Sequence, residues 1–213
     1  MALIKDSKGR KEKETDSGYE RVFGNRQLGM LISRVHATSI RQGSELEKFL
    51  ASKLPKDTNI AIAKINKSER VFRDAKTDST GKKHKLEIDC VIKTKDKIMI
   101  IEIKDGDTFD TKKVAGEVES LNFARDYISK LMKIPKDKIS MHYCSFNARD
   151  HNQIEVGAKG LLGECKAMTG KELCELFDLD FNKIVQERKA DQKANLDYFI
   201  EELKKIPEIH SKF

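Results

Sequence analysis

The chain has 213 residues, of which 38% are hydrophobic and 36% are charged, and its formal net charge at pH 7 is +7. This length suits one domain with a sizeable core, or one domain with a small annex. No apolar run is long enough to span a bilayer and no signal-peptide core follows Met1, so we expect a cytoplasmic protein without a membrane span. The basic balance favours a polyanionic partner, either nucleic acid or a membrane surface, without identifying it.

The four cysteines lie far apart in the sequence, and none belongs to a C-x-x-C pair. They are Cys90, Cys144, Cys165 and Cys174. This spacing favours buried, reduced thiols over disulfides or a zinc site, in keeping with a cytoplasmic protein.

The first quarter of the chain is predicted to be an arm followed by helices. Residues 1–18 are charged and polar with few apolar types, so we expect a flexible basic and polar arm that is mobile or ordered only by a partner. Apolar residues at helical spacing predict a helix over residues 19–39, broken near two glycines, and a second helix over residues 43–54. Ser44 is placed to cap the second helix, and Pro55 ends it.

Three strands and one polar segment are predicted in the middle of the chain. Residues 59–65 form a short apolar run typical of a strand, and the basic segment 69–85 is either a hairpin or a surface loop. Residues 86–93 alternate between apolar and polar types, which predicts a half-exposed strand. Residues 98–104 are almost continuously apolar up to Ile101, which suits a strand buried on both faces.

Helices and one further strand are predicted after these strands. They are a helix from Asp110 or Thr111 to about Met132, a strand over residues 139–146, a polar loop over 147–153, and helices over 173–176, 181–189 and 195–205. Thr169 and Glu172 have the spacing of a capping box before the first of the short helices. The order of elements indicates an α/β fold with a mixed central β-sheet flanked by helices. We expect a single domain over residues 19–213, with a core at 43–146 and a C-terminal helical part at 165–213.

Two carboxylates and a lysine stand at the ends of the two central strands, where burial is costly without compensation. The alternation of side chains places Asp89 on the polar face of its strand, and Glu102 and Lys104 on one face of the next. If the strands pair, the two carboxylates can bind Mg²⁺, and the main-chain carbonyl of Ile103 can be a further ligand. A metal held in this way can activate water for phosphodiester hydrolysis, while Lys104 orients or deprotonates that water.

Twelve residues separate Asp89 from Glu102-Ile103-Lys104. This arrangement resembles the motif of the PD-(D/E)xK nuclease superfamily, whose best-known members are type II restriction endonucleases. The family core consists of a helix, a strand hairpin with the acidic residues, a helix and a further strand, which matches residues 43–146. A surface hairpin with an exposed ion pair between Glu102 and Lys104 is the alternative. The helix that follows and the basic charge favour the nuclease.

The resemblance implies further site residues. In the family the first core helix often brings another glutamate to the metal, and Glu47 is the better match here, with Glu45 as the alternative. The helix after the lysine often carries an acidic or polar residue beside the site, for which Glu117 and Glu119 are candidates. Ile88 stands where the literal motif has a proline, a position that varies within the family.

The activity implied by the resemblance is Mg²⁺-dependent, sequence-specific cleavage of double-stranded DNA by a type II restriction enzyme. Such enzymes are typically homodimers that cut both strands of a palindrome, so a homodimer is implied as well. The alternatives are a repair nuclease or Holliday-junction resolvase on the same core, and a non-catalytic DNA-binding protein that retains the fold. The presence of Asp89, Glu102 and Lys104 together argues against the non-catalytic alternative.

The polar loop after the last core strand is a candidate for base recognition, because it contains residue types that bind base edges in DNA. Its candidate DNA-binding residues are Asn147, Arg149, Asp150, His151, Asn152 and Gln153. An ordinary polar turn is an equally good interpretation of this loop. Lys112 and Lys113, at the start of the long helix, are expected to contact phosphates, which positions an enzyme on DNA without specifying sequence. The basic segment 69–85 is a second candidate for phosphate contact.

Overall fold

The computed structural model describes residues 2–9, 18–54, 60–62, 75–77, 83–85, 88–94, 96–106 and 109–211. The contacts within the chain form two compact units, which we call the helical unit (Met1–Leu46 with Asn182–Phe213) and the sheet unit (Glu47–Phe181). The expectation of one domain over residues 19–213 stays a prediction.

The described residues form seven α-helices, seven β-strands and two 3₁₀-helices. The α-helices are α1 (Gly18–Phe23), α2 (Arg26–Lys53), α3 (Thr111–Met132), α4 (His151–Ala158), α5 (Gly170–Leu176), α6 (Phe181–Lys204) and α7 (Pro207–His210). The strands are β1 (Ile60–Ile62), β2 (Ala75–Thr77), β3 (Lys83–Lys85), β4 (Cys90–Lys93), β5 (Ile98–Lys104), β6 (Ile139–Ser145) and β7 (Lys166–Thr169). The 3₁₀-helices cover Ile4–Asp6 and Lys136–Lys138.

A five-stranded mixed sheet forms the centre of the sheet unit, in the order β1-β4-β5-β6-β7. β4 is antiparallel to β1 and β5, whereas β5, β6 and β7 run parallel to one another. Helices α3, α4 and α5 contact the parallel strands, which confirms the predicted α/β fold with a mixed sheet flanked by helices. β2 and β3 form a separate antiparallel pair, as the hairpin alternative for residues 69–85 requires.

Strand β5 lies between β4 and β6 and is buried on both faces, as its apolar sequence predicts. Ile100 and Ile101 are both fully buried although they point to opposite faces of the sheet. Helix α3 packs on the face that carries Ile100. Its buried stripe consists of Val114, Val118, Leu121, Ala124 and Ile128. The side chain of Asp110 caps α3 by accepting the N–H groups of Lys112 and Lys113, so the long helix begins and ends where it was predicted.

The strand before β5 is shorter than predicted. The predicted strand begins at residue 86, whereas β4 begins at Cys90 because the chain bends at Asp89. Residue 86 lies outside the described residues. Ile88 consequently packs in the same apolar cluster as Val91, whereas the predicted alternation put it on the face of Cys90. The bend therefore separates Asp89 from the regular part of the strand.

The predicted break between two N-terminal helices is absent, because α2 runs continuously through Gly29 and Gly43. A glycine inside a helix costs about 1 kcal/mol relative to alanine, which is too little to end a helix that packs along its length. The Ser44 hydroxyl donates to the Arg41 carbonyl within α2 and caps no helix. The break predicted near Gly24 is confirmed, because Gly24, at a φ of 63°, directly follows the end of α1. Two helices predicted near the C-terminus are likewise one, α6, which contains no glycine or proline.

Residues 2–9 of the expected N-terminal arm make contacts within the helical unit, and the flexibility of the arm stays a prediction. Ala2 and Ile4 are buried within the helical unit. The N–H of Ile4 donates to Asn195 Oδ1 at 2.8 Å, and the Thr38 hydroxyl donates to the Ser7 hydroxyl at the same distance. The few apolar residues at the very start of the chain thus pack against α2 and α6, while residues 10–17 lie outside the described residues.

Helix α5 begins with the predicted capping box. The Thr169 hydroxyl accepts the Glu172 N–H, and the Glu172 carboxylate accepts the Thr169 N–H. Gly170 follows directly and lies against the end of β6. A Cβ at this position would come within 2.2 Å of the Phe146 carbonyl oxygen, so this close approach of α5 to β6 requires a residue without a side chain.

The cysteines agree with the sequence-based expectation. All four cysteines are buried and free, as predicted. In the part of the chain that the structure describes, no helix combines the length and the apolar character needed to cross a membrane.

Candidate active site

Asp89 and Glu102 face each other at the point where β4 and β5 separate. The ladder between the two strands ends at the pair Cys90 and Ile101, and the same register sets Asp89 opposite Glu102. Glu102 is two residues beyond Ile100, so its side chain projects from the face that carries α3. Asp89 is only 9% exposed, which means that the structure brings the two predicted metal-binding acids together in a largely buried position.

The Asp89 carboxylate continues the pairing of β5 beyond the end of β4. The N–H of Ile103 donates to Asp89 Oδ2 at 2.9 Å. Within an extended strand the N–H and the C=O of one residue point to the same side, so the Ile103 carbonyl also faces the side of Asp89. The next carbonyl, that of Lys104, faces β6 instead and accepts the Phe146 N–H at 2.7 Å.

The pair of acids is in electrostatic conflict. Burial raises the pKa of Glu102, and the nearby Asp89 raises it further, to about 8, while Lys104 offsets only part of this effect. Two carboxylates so close together resist carrying two negative charges. A cation beside both of them would remove the conflict.

Lys104 lies between two carboxylates on the α3 face of the sheet. Its Nζ is 2.5 Å from Glu102 Oε1 and 2.8 Å from Glu117 Oε1. Burial lowers the pKa of Lys104, but the two glutamates outweigh this and the net pKa is raised. Lys104 is therefore a fixed cation and hydrogen-bond donor at neutral pH.

Glu117 joins this cluster from α3. Besides Lys104, it accepts a hydrogen bond from the Tyr143 hydroxyl, at 3.1 Å from Oε2. Tyr143 is paired with Glu102 in the register of β6 and β5. Glu119, the other candidate on α3, is exposed, so Glu117 is the one that lies beside the acid pair.

The acid pair fits a divalent cation by the chemistry of its donors. Asp89 and Glu102 offer carboxylate oxygens and Ile103 a carbonyl oxygen, which are the hard donors that Mg²⁺ takes, and one or two carboxylates suffice because Mg²⁺ keeps several waters. Across the described residues, no group of three or more His, Cys, Asp or Glu side chains is arranged to hold a metal.

The role of the third predicted acid, Glu47, at the metal stays a prediction. Glu47 is 3% exposed and belongs to the sheet unit. Its alternative, Glu45, belongs to the helical unit and pairs with Arg41 at 3.3 Å. Glu47 is thus the more deeply buried of the two.

The chain segments after β5 and β6 meet at the carboxyl edge of the parallel strands. The Asn147 side-chain amide donates to the Asp105 carbonyl, and the Ser145 hydroxyl donates to the Gly106 carbonyl at 2.6 Å. This edge is where open α/β sheets bind ligands. Asn147 therefore supports the turn directly after Lys104.

Comparison with known proteins decides the family. No protein-family model matches the chain. The type II restriction enzyme HhaII of Haemophilus parahaemolyticus is 35% identical to it over 225 aligned residues, which cover 98% of this chain and 96% of HhaII. The chain belongs to the type II restriction enzymes. It is accordingly a hydrolase of the site-specific deoxyribonuclease class.

The predicted recognition loop of this restriction enzyme is shorter than expected, because α4 already begins at His151. Asp150 caps α4 by accepting the Gln153 N–H at 2.8 Å, and Gln153 Oε1 accepts the Arg149 N–H at 2.9 Å. Arg149 and Asn152 are exposed. Of the residues predicted to contact DNA here, Asp150 and Gln153 hold the loop together, whereas Arg149 and Asn152 present their side chains to the surface.

His151 links the restriction enzyme's loop to α5. Its Nε2 lies 2.7 Å from Glu172 Oε2, the carboxylate of the capping box. Burial raises the pKa of Glu172, but the Thr169 N–H, His151 and the Thr169 hydroxyl outweigh it and the net pKa is lowered. His151 thus serves to join the starts of α4 and α5.

Lys112 and Lys113 are exposed in the first turn of α3. They lie a few residues after Lys104, beyond the turn that leaves the carboxyl edge of β5. This position is compatible with the phosphate contacts expected of a restriction enzyme.

One member of the site was missed by sequence reasoning. Tyr143 acts over a long chain distance, on Glu117. The alternating pattern of residues 139–146 places Tyr143 on one face of β6, but only the register with β5 brings it beside Glu102. No local signal in the sequence encodes that register.

Proposed function

We propose that this restriction enzyme cleaves double-stranded DNA at a specific sequence in a Mg²⁺-dependent reaction, with a site of the PD-(D/E)xK type. The observation that carries the proposal is the arrangement of Asp89, Glu102 and Lys104, in which two opposed acids and a lysine lie at the carboxyl edge of β5. The family assignment gives the reaction class, and this arrangement gives a place where it can occur.

Asp89, Glu102 and the Ile103 carbonyl would hold the Mg²⁺, and Glu47 would complete the site. Bound there, the ion would lower the pKa of a water molecule and neutralise charge on the phosphate. Asp89 also fixes the end of β5 through the Ile103 N–H. The conflict that raises the pKa of Glu102 supports this role, because carboxylates that resist ionisation together gain most from a cation.

Lys104 orients the attacking water and stabilises the negative charge that develops on the phosphate. The ion pairs of Lys104 with Glu102 and Glu117 support a cationic donor in preference to a neutral amine that removes a proton from water. Of the two roles expected from the sequence, orientation is therefore the one that we propose.

DNA would be bound along the same edge of the sheet. Lys112 and Lys113 would contact phosphates, and the exposed Arg149 and Asn152 would contact base edges, since arginine recognises guanine and asparagine recognises adenine. A homodimer, which the resemblance implies, would cut both strands of a palindrome. An enzyme with this task acts on DNA inside the cell, so we propose a cytoplasmic location.

Plasmid digestion tests the site. The full-length protein with Mg²⁺ is expected to give discrete fragments, and EDTA is expected to stop the reaction. The variants Asp89→Asn and Lys104→Ala should lower the cleavage rate at least roughly 100-fold, because each removes a charge that acts on the reacting phosphate. Asparagine retains an oxygen that can accept the Ile103 N–H, so Asp89→Asn removes the charge and spares the hydrogen bond.

Asp96→Asn is the matched control for this experiment. It removes a carboxylate from the exposed turn at the other end of the β4–β5 hairpin, and it should cut at the wild-type rate. Full cleavage by Asp89→Asn or Lys104→Ala would overturn the proposed site. Cleavage of branched DNA alone would indicate a junction resolvase, and binding without cleavage would indicate a non-catalytic protein.

A further inference from the structure

Tyr143 places a hydroxyl group inside the acid and lysine cluster. The side chain is 3% exposed and lies on the same face of the sheet as Glu102, its partner in the parallel register. The hydroxyl donates to Glu117 Oε2 at 3.1 Å. The ring lies 6.4 Å, between centroids, from that of Phe109, so both ends of the side chain are held.

The two oxygens of Glu117 have different donors. Oε1 receives the Lys104 ammonium at 2.8 Å, and Oε2 receives the Tyr143 hydroxyl. The terminal torsion of a glutamate is soft, so a carboxylate held by one donor alone can rotate. Two donors on separate oxygens fix the plane of the carboxylate, and with it the direction in which Glu117 holds Lys104.

We propose that Tyr143 is a positioning residue of this nuclease: its hydroxyl fixes Glu117, which in turn holds the Lys104 ammonium at the reacting phosphate. The inference rests on the role proposed for Lys104. Glu102 is shared between Lys104 and the proposed metal site, whereas Glu117 has no such second role, so Glu117 is the constant partner of the lysine. Burial and Glu117 raise the pKa of Tyr143, and the phenol therefore remains a neutral donor throughout the working pH range.

Tyr143→Phe removes the hydroxyl and keeps the ring. Steady-state cleavage of an oligonucleotide duplex should show a kcat lowered roughly tenfold, the scale of one hydrogen bond to a charged group, with KM unchanged. Tyr198→Phe is the matched control, because it also deletes a hydroxyl that is hydrogen-bonded, at 3.0 Å to Arg34 in the helical unit. Its kcat should equal that of the wild type. A wild-type kcat for Tyr143→Phe would overturn the inference.

A double-mutant cycle separates positioning from simple support of the fold. Glu117→Gln removes the charge that holds Lys104, so adding Tyr143→Phe to it should cause no further loss of kcat. Additive losses would show that Tyr143 acts independently of Glu117 and would overturn the inference. If Tyr143→Phe fails to fold, Glu117→Gln alone tests the inference. An unchanged kcat in Glu117→Gln would exclude the proposed chain of contacts.

Failure of this inference differs from failure of the proposed function. If Lys104→Ala and Asp89→Asn abolish cleavage while Tyr143→Phe and Glu117→Gln do not affect it, the active site stands and the role of Tyr143 is wrong. If Lys104→Ala cleaves normally, the site itself is wrong and the role of Tyr143 falls with it.

Discussion

At the scale of single residues, Glu102 shows how the fold places charge where it is costly. Its carboxyl group is largely buried beside Asp89, and its pKa is raised from 4.5 to about 8. The protein tolerates this because Lys104 neutralises part of the charge, at 2.5 Å from Glu102 Oε1. An isolated buried carboxylate without such a partner would be far more costly.

The raised pKa of Glu102 predicts how the stability of the metal-free protein depends on pH. Between about pH 4.5 and pH 8 the folded state keeps a proton that the unfolded state has lost. The unfolded state then binds fewer protons, so the contribution of Glu102 to the free energy of unfolding decreases as pH rises through this window. Urea unfolding in EDTA at several pH values measures the slope of the free energy of unfolding against pH. This slope should be less negative in Glu102→Gln than in the wild type.

Glu119→Gln is the control for the pH series, because it removes a glutamate from the exposed face of α3. Its slope should match that of the wild type. Equal slopes in the wild type and Glu102→Gln would contradict the raised pKa.

The core of the site was predictable from the sequence because strand periodicity is a local property. Alternation alone puts Glu102 and Lys104 on one face of β5, and the resemblance pairs them with Asp89. Tyr143 was not predictable, since its contact with Glu117 depends on how β6 and α3 pack across 26 residues of chain. The residue type of Asn147 predicts a DNA contact, but it carries no signal of the hydrogen bond to the turn at Asp105.

At the scale of elements, two glycines of the sheet unit lie in contrasting environments. A Cβ at Gly170 would come within 2.2 Å of a backbone oxygen, whereas a Cβ at Gly116 on α3 meets nothing within 4 Å. Gly170→Ala should therefore lower the free energy of unfolding by about 1–3 kcal/mol through overpacking. Gly116→Ala should leave it unchanged or raise it by up to about 1 kcal/mol through helix propensity.

Urea unfolding measures the free energy of unfolding of the two alanine variants, and each variant is the control for the other. Equal stability of both variants would show that α5 can move away from β6 without cost. Destabilisation by Gly116→Ala would show that α3 is more tightly packed at that point than the structure indicates.

Element boundaries were predicted well where a local signal is strong. Asp110 caps α3 because its carboxylate accepts backbone N–H groups of the first turn, and the start of α3 was predicted correctly from this residue. Gly29 and Gly43 look like helix breakers in the sequence but lie inside α2, because the modest cost of a helical glycine is offset by packing that the sequence does not reveal. The bend at Asp89, which shortens β4, depends likewise on a contact with the neighbouring strand.

At the scale of the whole molecule, the net charge of +7 favours binding to DNA regardless of its sequence. Lys112 and Lys113 are the first exposed cations that follow the carboxyl end of β5 among the described residues. Replacing both by alanine should weaken binding to all duplexes alike, and should reduce the slope of log K against log salt by about 0.9 per lost phosphate contact. Fluorescence anisotropy at several salt concentrations in EDTA measures both effects.

The matched control replaces Lys97 and Lys138, which are exposed and precede the opposite, N-terminal ends of β5 and β6. This variant changes the net charge equally, so it should keep the wild-type slope if position matters. Equal slopes for the two double variants would show that the total charge, and not the edge of the sheet, governs binding.

The hydrogen bond from Ile103 to Asp89 makes one backbone amide a reporter from inside the proposed site. Most amides of β5 are held by neighbouring strands and shielded from exchange by the sheet. The Ile103 amide is held by a carboxylate, so its proton chemical shift and its rate of hydrogen exchange with solvent will change with the charge and the ligands of Asp89. Nuclear magnetic resonance can therefore observe the occupancy of the site at a single backbone position, without a substrate and without altering any side chain.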